Sequence, residues 1–474
     1  MNGLRVGIVG FDITPEIHPE FGAWGTTPSL TSIDMPLLAR CIVLDDERER
    51  LVWFGSDLCG NSVKEVASFR DEIADDLGLR REQVVWSTSQ THSSPTVPGS
   101  NVPGGSGITT RGQFDVAYCD AQRRKWIDSY KAAAHEAFEL LQPSEMWVGR
   151  GFCDSMSYNT RFPLPNGGVK FSRHHSEGLQ SGKYFDATIG LLRFDDRQGR
   201  PLGAVFNFCS HPATMINDSM VSPDWVGTAR EHVEETIDGA PAMFVQGFCG
   251  DVNCHHIFGT PALARRNGDR LGTAAAAMDH LVPIRSLPFR SAWRNVELKC
   301  RPMYRRDELE AQIDGRLHYI EELQHDPAVS WCCGINFPEQ FSVDDKTRLV
   351  AIQLEYLREA VRLLEAGEPT RSTLELPIGG IRIGDVALAI SAGENFTRTG
   401  QQVRNRSPFS HTLVCGDTNG LFGYIGGDAE IDRGGYETDS FWKMLYIDGF
   451  RLAPAKGTVD RILHSFDEVF QELT

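Results

Sequence analysis

Short apolar runs, each closed by small or charged residues, recur along this chain, and longer stretches with helical spacing separate them. Positions 5–14 (RVGIVGFDIT) read as a strand that stops at Pro15. Positions 38–44 and 51–56 are apolar and flank the charged segment DDERER, the pattern of a β-hairpin. Helical spacing follows at 64–77. The segment 84–95 (VVWSTSQTHSSP) then opens with the β-branched and aromatic residues of a buried strand. Strand, helix, strand in this order predicts an α/β sheet with crossover connections.

Further along, 118–141 reads as a long amphipathic helix, 147–159 as a strand and 163–182 as a polar loop. Strands at 204–209 and 242–246 bracket a helix at 223–237. Residues 304–367 change character: they are charged, rich in Leu, Glu and Arg, and favour helix, with a break at 331–338. Apolar strands return from 374, notably 386–390 and 411–414. No internal repeat, low-complexity tract or linker interrupts the chain. The fold expected is α/β, a mixed β-sheet core flanked by helices. It forms a single catalytic unit over 1–474 with a helical insertion at 304–367.

The ends of these strands carry the chemistry. His92 follows strand 84–88, His211 follows AVFNFC, Glu394 follows the strand at 386–390, and Tyr424 lies in a Gly-rich loop after the strand at 411–414. Side chains alternate along a strand, so Gln90 and His92 share a face if the strand continues through them. Gly247 and Gly250 allow a tight turn that presents Asp251 and Asn253. The strand at 147–159 delivers Tyr158, Asn159 and Arg161. The Gly-, Ser- and Thr-rich segment 99–112 is expected to be a loop over the site. Adjacent His174 and His175 diverge and are expected to be solvated. Gly7 and Gly10 do not make a dinucleotide-binding turn, because the third glycine is missing and Pro15 blocks the helix that would follow.

Composition narrows the class. The chain has 474 residues, 41% hydrophobic and 23% charged, with a formal net charge of −17, which argues against a nucleic-acid or anionic-membrane surface. No apolar run approaches the roughly 20 residues of a membrane span, and the N-terminus lacks the pattern of a secretory signal. The 11 cysteines are odd in number, scattered, and contain no CxxC pair, so reduced thiols in the cytoplasm are expected rather than a thiolate zinc site. The expected partner is a small-molecule substrate, with a homo-oligomer left open.

Histidine and carboxylate are the usual protein ligands of a catalytic zinc, yet no HExxH-type helix fixes two of them locally. The order of motifs, from GIVGFDITP to RGGYE, resembles the neutral/alkaline non-lysosomal ceramidase family over nearly the whole chain. That resemblance implies an α/β catalytic domain with one zinc held by two histidines, a glutamate and a tyrosine. NFCSHPATM then points to His211, SAGENFTRTG to Glu394, GYIGGDAEIDRGGYE to Tyr424, and SYNTRF to Arg161 as a group that helps hold the substrate carbonyl.

Two motifs depart from the family. Its His-Thr-His-Ser segment, with the first histidine as ligand and the second at the substrate, reads Gln90-Thr91-His92-Ser93 here. Asn253 stands where ceramidases carry a catalytic serine; asparagine is no nucleophile but can donate a hydrogen bond to an oxyanion. The extra C-terminal β-domain of full ceramidases is also not expected.

The reading is therefore a metal-dependent hydrolase acting on an amide, ester or lactone bond of a small polar substrate. Zinc is held by His92, His211, Glu394 and Tyr424, and Arg161, Asn253, Asp251 and Gln90 surround the reacting group. The alternatives are a binding or regulatory protein on the same fold, or a metal-dependent lyase or isomerase.

Overall fold

The computed structural model describes residues 3–18, 30–95, 116–216, 218–284 and 288–474. Its largest sheet has nine strands. Eight run in the order Ala242–Gln246, Pro201–Phe208, Thr188–Asp196, Gln142–Phe152, Arg5–Asp12, Leu38–Asp45, Arg50–Ser56, Val84–Thr88, and Val282–Ile284 pairs beside Gln142–Phe152. The two outermost pairs, Ala242–Gln246 with Pro201–Phe208 and Arg50–Ser56 with Val84–Thr88, are parallel, and the others are antiparallel. The sheet is mixed and helices flank it, as its apolar pattern predicts.

A second sheet was not legible as a separate layer. Phe289–Lys299, Thr373–Ile383, Val386–Ser391 and His411–Cys415 form four strands. They pack face to face on the large sheet, with Leu51, Trp53, Val85, Phe194 and Val245 meeting Ile381, Ile383, Leu388 and Ile390. Helices cover the outer faces. Val63–Leu77 and Val116–Glu139 lie over one half of the large sheet, and Trp225–Glu235 and Pro261–Ala276 over the other. Thr458–Leu473 covers the small sheet. The result is four layers.

This layering explains the unbroken apolar runs. In Arg50–Ser56, Leu51 and Trp53 face the second sheet while Val52 and Phe54 face the helices, so both faces are covered and no polar alternation survives. Helix Val63–Leu77 is fixed at its ends by local chemistry. Ser62 and Glu65 cap each other's backbone at the start, and Gly78, at φ 64°, closes the last turn.

Two expectations change. The strand expected at 147–159 ends at Phe152, and Ser157–Asn159 forms a separate ladder with Val252–Cys254. The expected polar loop at 163–182 contains a hairpin strand, Val169–Phe171, paired with Arg161–Pro163, and the short helix His175–Gln180. The hairpin closes at Asn166–Gly168, where Gly167 takes φ 85°, and such turn residues read as loop in a sequence. His175 stacks on His255 with ring centroids 3.8 Å apart instead of standing alone in solvent.

Residues 304–367 hold helices Arg306–His325 and Val343–Ala366, joined through the short pair Trp331–Cys332 and Ile335–Asn336. Leu309, Tyr319, Leu323, Val350 and Leu357 form their own core, which Trp442 joins. The segment 99–112 lies outside the described residues.

Candidate active site

The carboxyl ends of five strands meet at one edge of the layered core. Gly247 donates to Phe208 O at 2.8 Å, Gly416 to Gln246 O at 2.9 Å, and Asn419 to Trp86 O at 2.7 Å, so the loops that follow the strands are laced together. Gly250 donates to Asn395 O at 3.0 Å, and a Cβ at Gly250 would collide with the Glu394 carbonyl oxygen. Only glycine permits that approach.

Two miniature ladders set the side chains. Glu394–Asn395 pairs in parallel with Tyr424–Ile425, which places Glu394 opposite Tyr424. His211 pairs in parallel with Asn253. His211 Nδ1 lies 2.9 Å from Val252 O, so its N–H donates there, and Nε2 is a donor in the protonated ring and the lone-pair nitrogen in the neutral one. That Nε2 is 3.3 Å from Glu394 Oε1. The rings of His211 and Tyr424 lie 6.3 Å apart, and those of His211 and His92 5.6 Å.

The segment 84–95 departs from its expected geometry. Its strand ends at Thr88, and Gln90 takes the left-handed φ of 65°. The turn breaks the side-chain alternation. Gln90 Nε2 donates to Glu394 Oε1 at 2.8 Å, while His92 folds back so that its Nδ1 lies 2.9 Å from Gln90 O. Gln90, not His92, thus touches the glutamate directly, and His92 forms pocket wall beside His211.

Behind Gln90 lies a chain the sequence reading missed. The Cys249 thiol donates to Gln90 Oε1 at 3.3 Å and stands 3.7 Å from Asp417 Oδ2. Burial and the nearby Glu394 charge push the Asp417 carboxyl well up. Burial opposes ionisation of Glu394 too. There, the His211 hydrogen bond, the Lys443 ammonium and the Gln90 amide outweigh it and hold the carboxyl below its usual range. Lys443 sits 4.2 Å from the Tyr424 ring centroid and 4.6 Å from that of Tyr436. Burial and the adjacent His211 lower His92 to about 3, so it is a neutral imidazole at neutral pH. Burial, reinforced by Glu394, keeps Tyr424 a neutral phenol.

A cavity of about 100 Å³ opens beside this cluster and is lined by His92, His211, Asn253 and Tyr424 on one side. The rest of its lining is largely apolar and includes Phe258, Ile335, Phe337, Phe341 and Trp442, mostly from the insertion. The expectation of a polar substrate therefore meets a compact apolar wall. The buried Asn253 Nδ2 has no hydrogen-bond partner among the described residues.

Arg161 and Asp251 sit elsewhere than in the pocket wall. Arg161 is fully buried, and donates Nε to Glu430 at 2.6 Å, Nη1 to Glu437 at 2.8 Å, and Nη2 to the Gly434 carbonyl at 2.7 Å. Asp251 accepts from Thr397 N and from Asn159 Nδ2, both at 2.7 Å, and so ties the 251–254 turn to the segment after Glu394. The arginine that does line the pocket is Arg173.

No protein-family model matches the chain, and no curated protein matches it in sequence. Among solved structures, a ceramidase complexed with C2 superposes with a TM-score of 0.71 at 20% identity, over 100% of this chain and 75% of its own. Neutral ceramidase from Pseudomonas aeruginosa superposes with a TM-score of 0.65 at 18% identity, over 99% and 75%. The chain has the fold of the neutral ceramidases. No helix among the described residues is long and apolar enough to cross a membrane.

The donor chemistry bears on the zinc that the resemblance implies. Among the described residues no three His, Cys, Asp or Glu side chains are grouped to hold a metal ion. Two such groups, His211 Nε2 and the ionised Glu394, stand 3.3 Å apart with the Tyr424 phenol opposite Glu394, and this nitrogen-and-oxygen set suits a divalent cation. Gln90 is the mismatch, because its N–H faces the carboxylate where the family has an imidazole.

Proposed function

We propose that this protein is a metal-dependent hydrolase that cleaves an amide, ester or lactone bond in a small substrate with a compact apolar part. The observation that carries the reading is the meeting of His211, Glu394 and Tyr424 beside a pocket that His211 and Tyr424 line. His211, Glu394 and Tyr424 would hold a zinc or other divalent ion, which supplies Lewis acidity to water and to the scissile carbonyl.

The chain's own residues divide the remaining work. His92 is neutral, with Nδ1–H turned to Gln90 O, and it lines the pocket beside His211, where it positions the substrate. The unpartnered Asn253 amide donates to the oxygen that gains charge as the carbonyl is attacked. Asp251 is a positioning residue, since it fixes the turn that carries Asn253. The wall at Phe337 and Phe341 excludes water from the apolar part of the substrate. A small-molecule partner and a reducing, cytoplasmic setting go with this reading.

A second reading rests on the Gln90 amide against Glu394, which favours a binding protein on the same fold. Elemental analysis of protein purified without chelator or metal-affinity tag separates them. About one divalent ion per chain, with ester or amide turnover that a chelator abolishes and the metal restores, supports the hydrolase. No metal and no uptake on titration supports the binding protein.

A further inference from the structure

The pocket contains one charge that catalysis does not explain. Arg173 lines it between Phe171, Asn336 and Tyr436, half-buried, with its guanidinium carbon 4.8 Å from the Phe171 ring centroid. It donates Nη1 to Phe171 O at 3.3 Å and Nη2 to Asn336 O at 2.8 Å. A guanidinium has five N–H groups, so three are left without a protein acceptor among the described residues.

No carboxylate of the described residues lies within ion-pair distance of Arg173. Glu437 is engaged by Arg161 at 2.8 Å and by Thr160 at 2.6 Å. Glu339 acts on Arg173 only at longer range, and its side chain is exposed. The contrast with Arg161 is direct, since that arginine holds two glutamates. Burial around Arg173 lowers it to about 10, which still leaves it charged at neutral pH. An arginine fixed by two carbonyls over an aromatic ring, in an apolar pocket and with no acid beside it, is poised for a ligand's anion.

We propose that Arg173 binds an anionic group of the ligand, a carboxylate or a phosphate attached to the apolar portion that fills the pocket. This rests on the reading of the pocket as the substrate site and names the class of substrate: a short apolar acid derivative instead of a neutral lipid. Arg173 is then a specificity-determining residue.

Hexanoate, hexyl phosphate and the neutral hexanamide test this by calorimetric titration of the full-length protein. We expect the anions to bind at least about tenfold more tightly than the amide. Arg173→Gln should remove that preference and leave hexanamide binding unchanged, whereas Arg173→Lys should keep most of it. Hexanoate against hexyl phosphate tells which anion the site takes. Equal affinity for anions and amide in the native protein would overturn the proposal. So would a parallel loss of all three ligands in Arg173→Gln, since that marks a bracing role between Phe171 and Asn336. The readout is binding, so absence of hydrolysis would count against the hydrolase reading alone.

Discussion

Gln90 donates its side-chain N–H to Glu394 Oε1 over 2.8 Å, the same oxygen that His211 Nε2 approaches to 3.3 Å. An amide N–H cannot ligate a metal, and an amide oxygen is a weaker zinc donor than imidazole. Histidine tolerates the left-handed backbone that Gln90 occupies. Gln90→His should therefore tighten zinc binding by a factor of about ten or more, measured by competition with a chelating dye. Unchanged affinity would place position 90 outside the reach of the ion.

His211 offers a sharper test of the centre. Its replacement by Ala removes Nε2 and leaves the Val252 carbonyl without its side-chain donor, at a cost of about 1–3 kcal/mol. Turnover and metal stoichiometry should both collapse while the circular dichroism spectrum stays native. A variant that keeps full metal occupancy would remove His211 from the ligand set.

Arg161 should behave as a structural residue. It is fully buried between Glu430 and Glu437, and removing one partner of such a network leaves uncompensated charge. Arg161→Met should lower unfolding free energy by about 3–5 kcal/mol in urea. If the variant unfolds like the native protein and only KM rises, Arg161 holds substrate after all.

Asp251 makes stability depend on pH. Burial raises its carboxyl to about 6 against the opposing Thr397 and Asn159 hydrogen bonds. A folded pKa above the unfolded one means that the folded state binds the proton more tightly. That contribution is complete below about pH 4 and fades as pH rises through 6. Relative to Asp251→Asn, the native protein should lose about 1 kcal/mol of stability between pH 5 and pH 7.5. Parallel stability curves for the two proteins would show that Asp251 is already ionised at pH 5.

Long-chain ceramide should be a poor substrate. A long acyl chain far exceeds the pocket of about 100 Å³, which Phe337 and Phe341 wall. Release of acid from a long-chain ceramide in detergent micelles should be at least about 100-fold slower than from a short-chain amide. Comparable rates, followed by chromatography of the product, would mean that the insertion moves aside.

Legibility from sequence follows from how local each determinant is. Strand 50–56 and helix 63–77 were readable because covered faces and caps are written in adjacent residues. The second sheet was not, because assigning Leu51 to one layer and Val52 to another requires the partner strands. Ordered motifs singled out His211, Glu394 and Tyr424, which the structure brings side by side. The placement of the Gln90 side chain against Glu394 hung on one dihedral angle that polar residues do not announce. Lys443 and Arg173 lie in a single 3-10 turn of helix, Phe441–Met444, and a hairpin flank with no periodicity, and only the packing of Tyr424, Tyr436 and Phe171 gives them meaning.

The hydrogen bond between Gln90 and Glu394 joins residues 304 positions apart, and that between His211 and Glu394 spans 183. During synthesis the first half of the chain therefore emerges with its histidines and no centre. Such distant pairings form late and slowly, because loop closure must precede any contact energy. A nascent or truncated chain that ends before Tyr424 lacks the glutamate's ladder partner, and one that ends before Lys443 lacks the cation beside Glu394. The cluster around Glu394 is thus complete only once both halves have met, and its first appearance in a refolding experiment would time their joining.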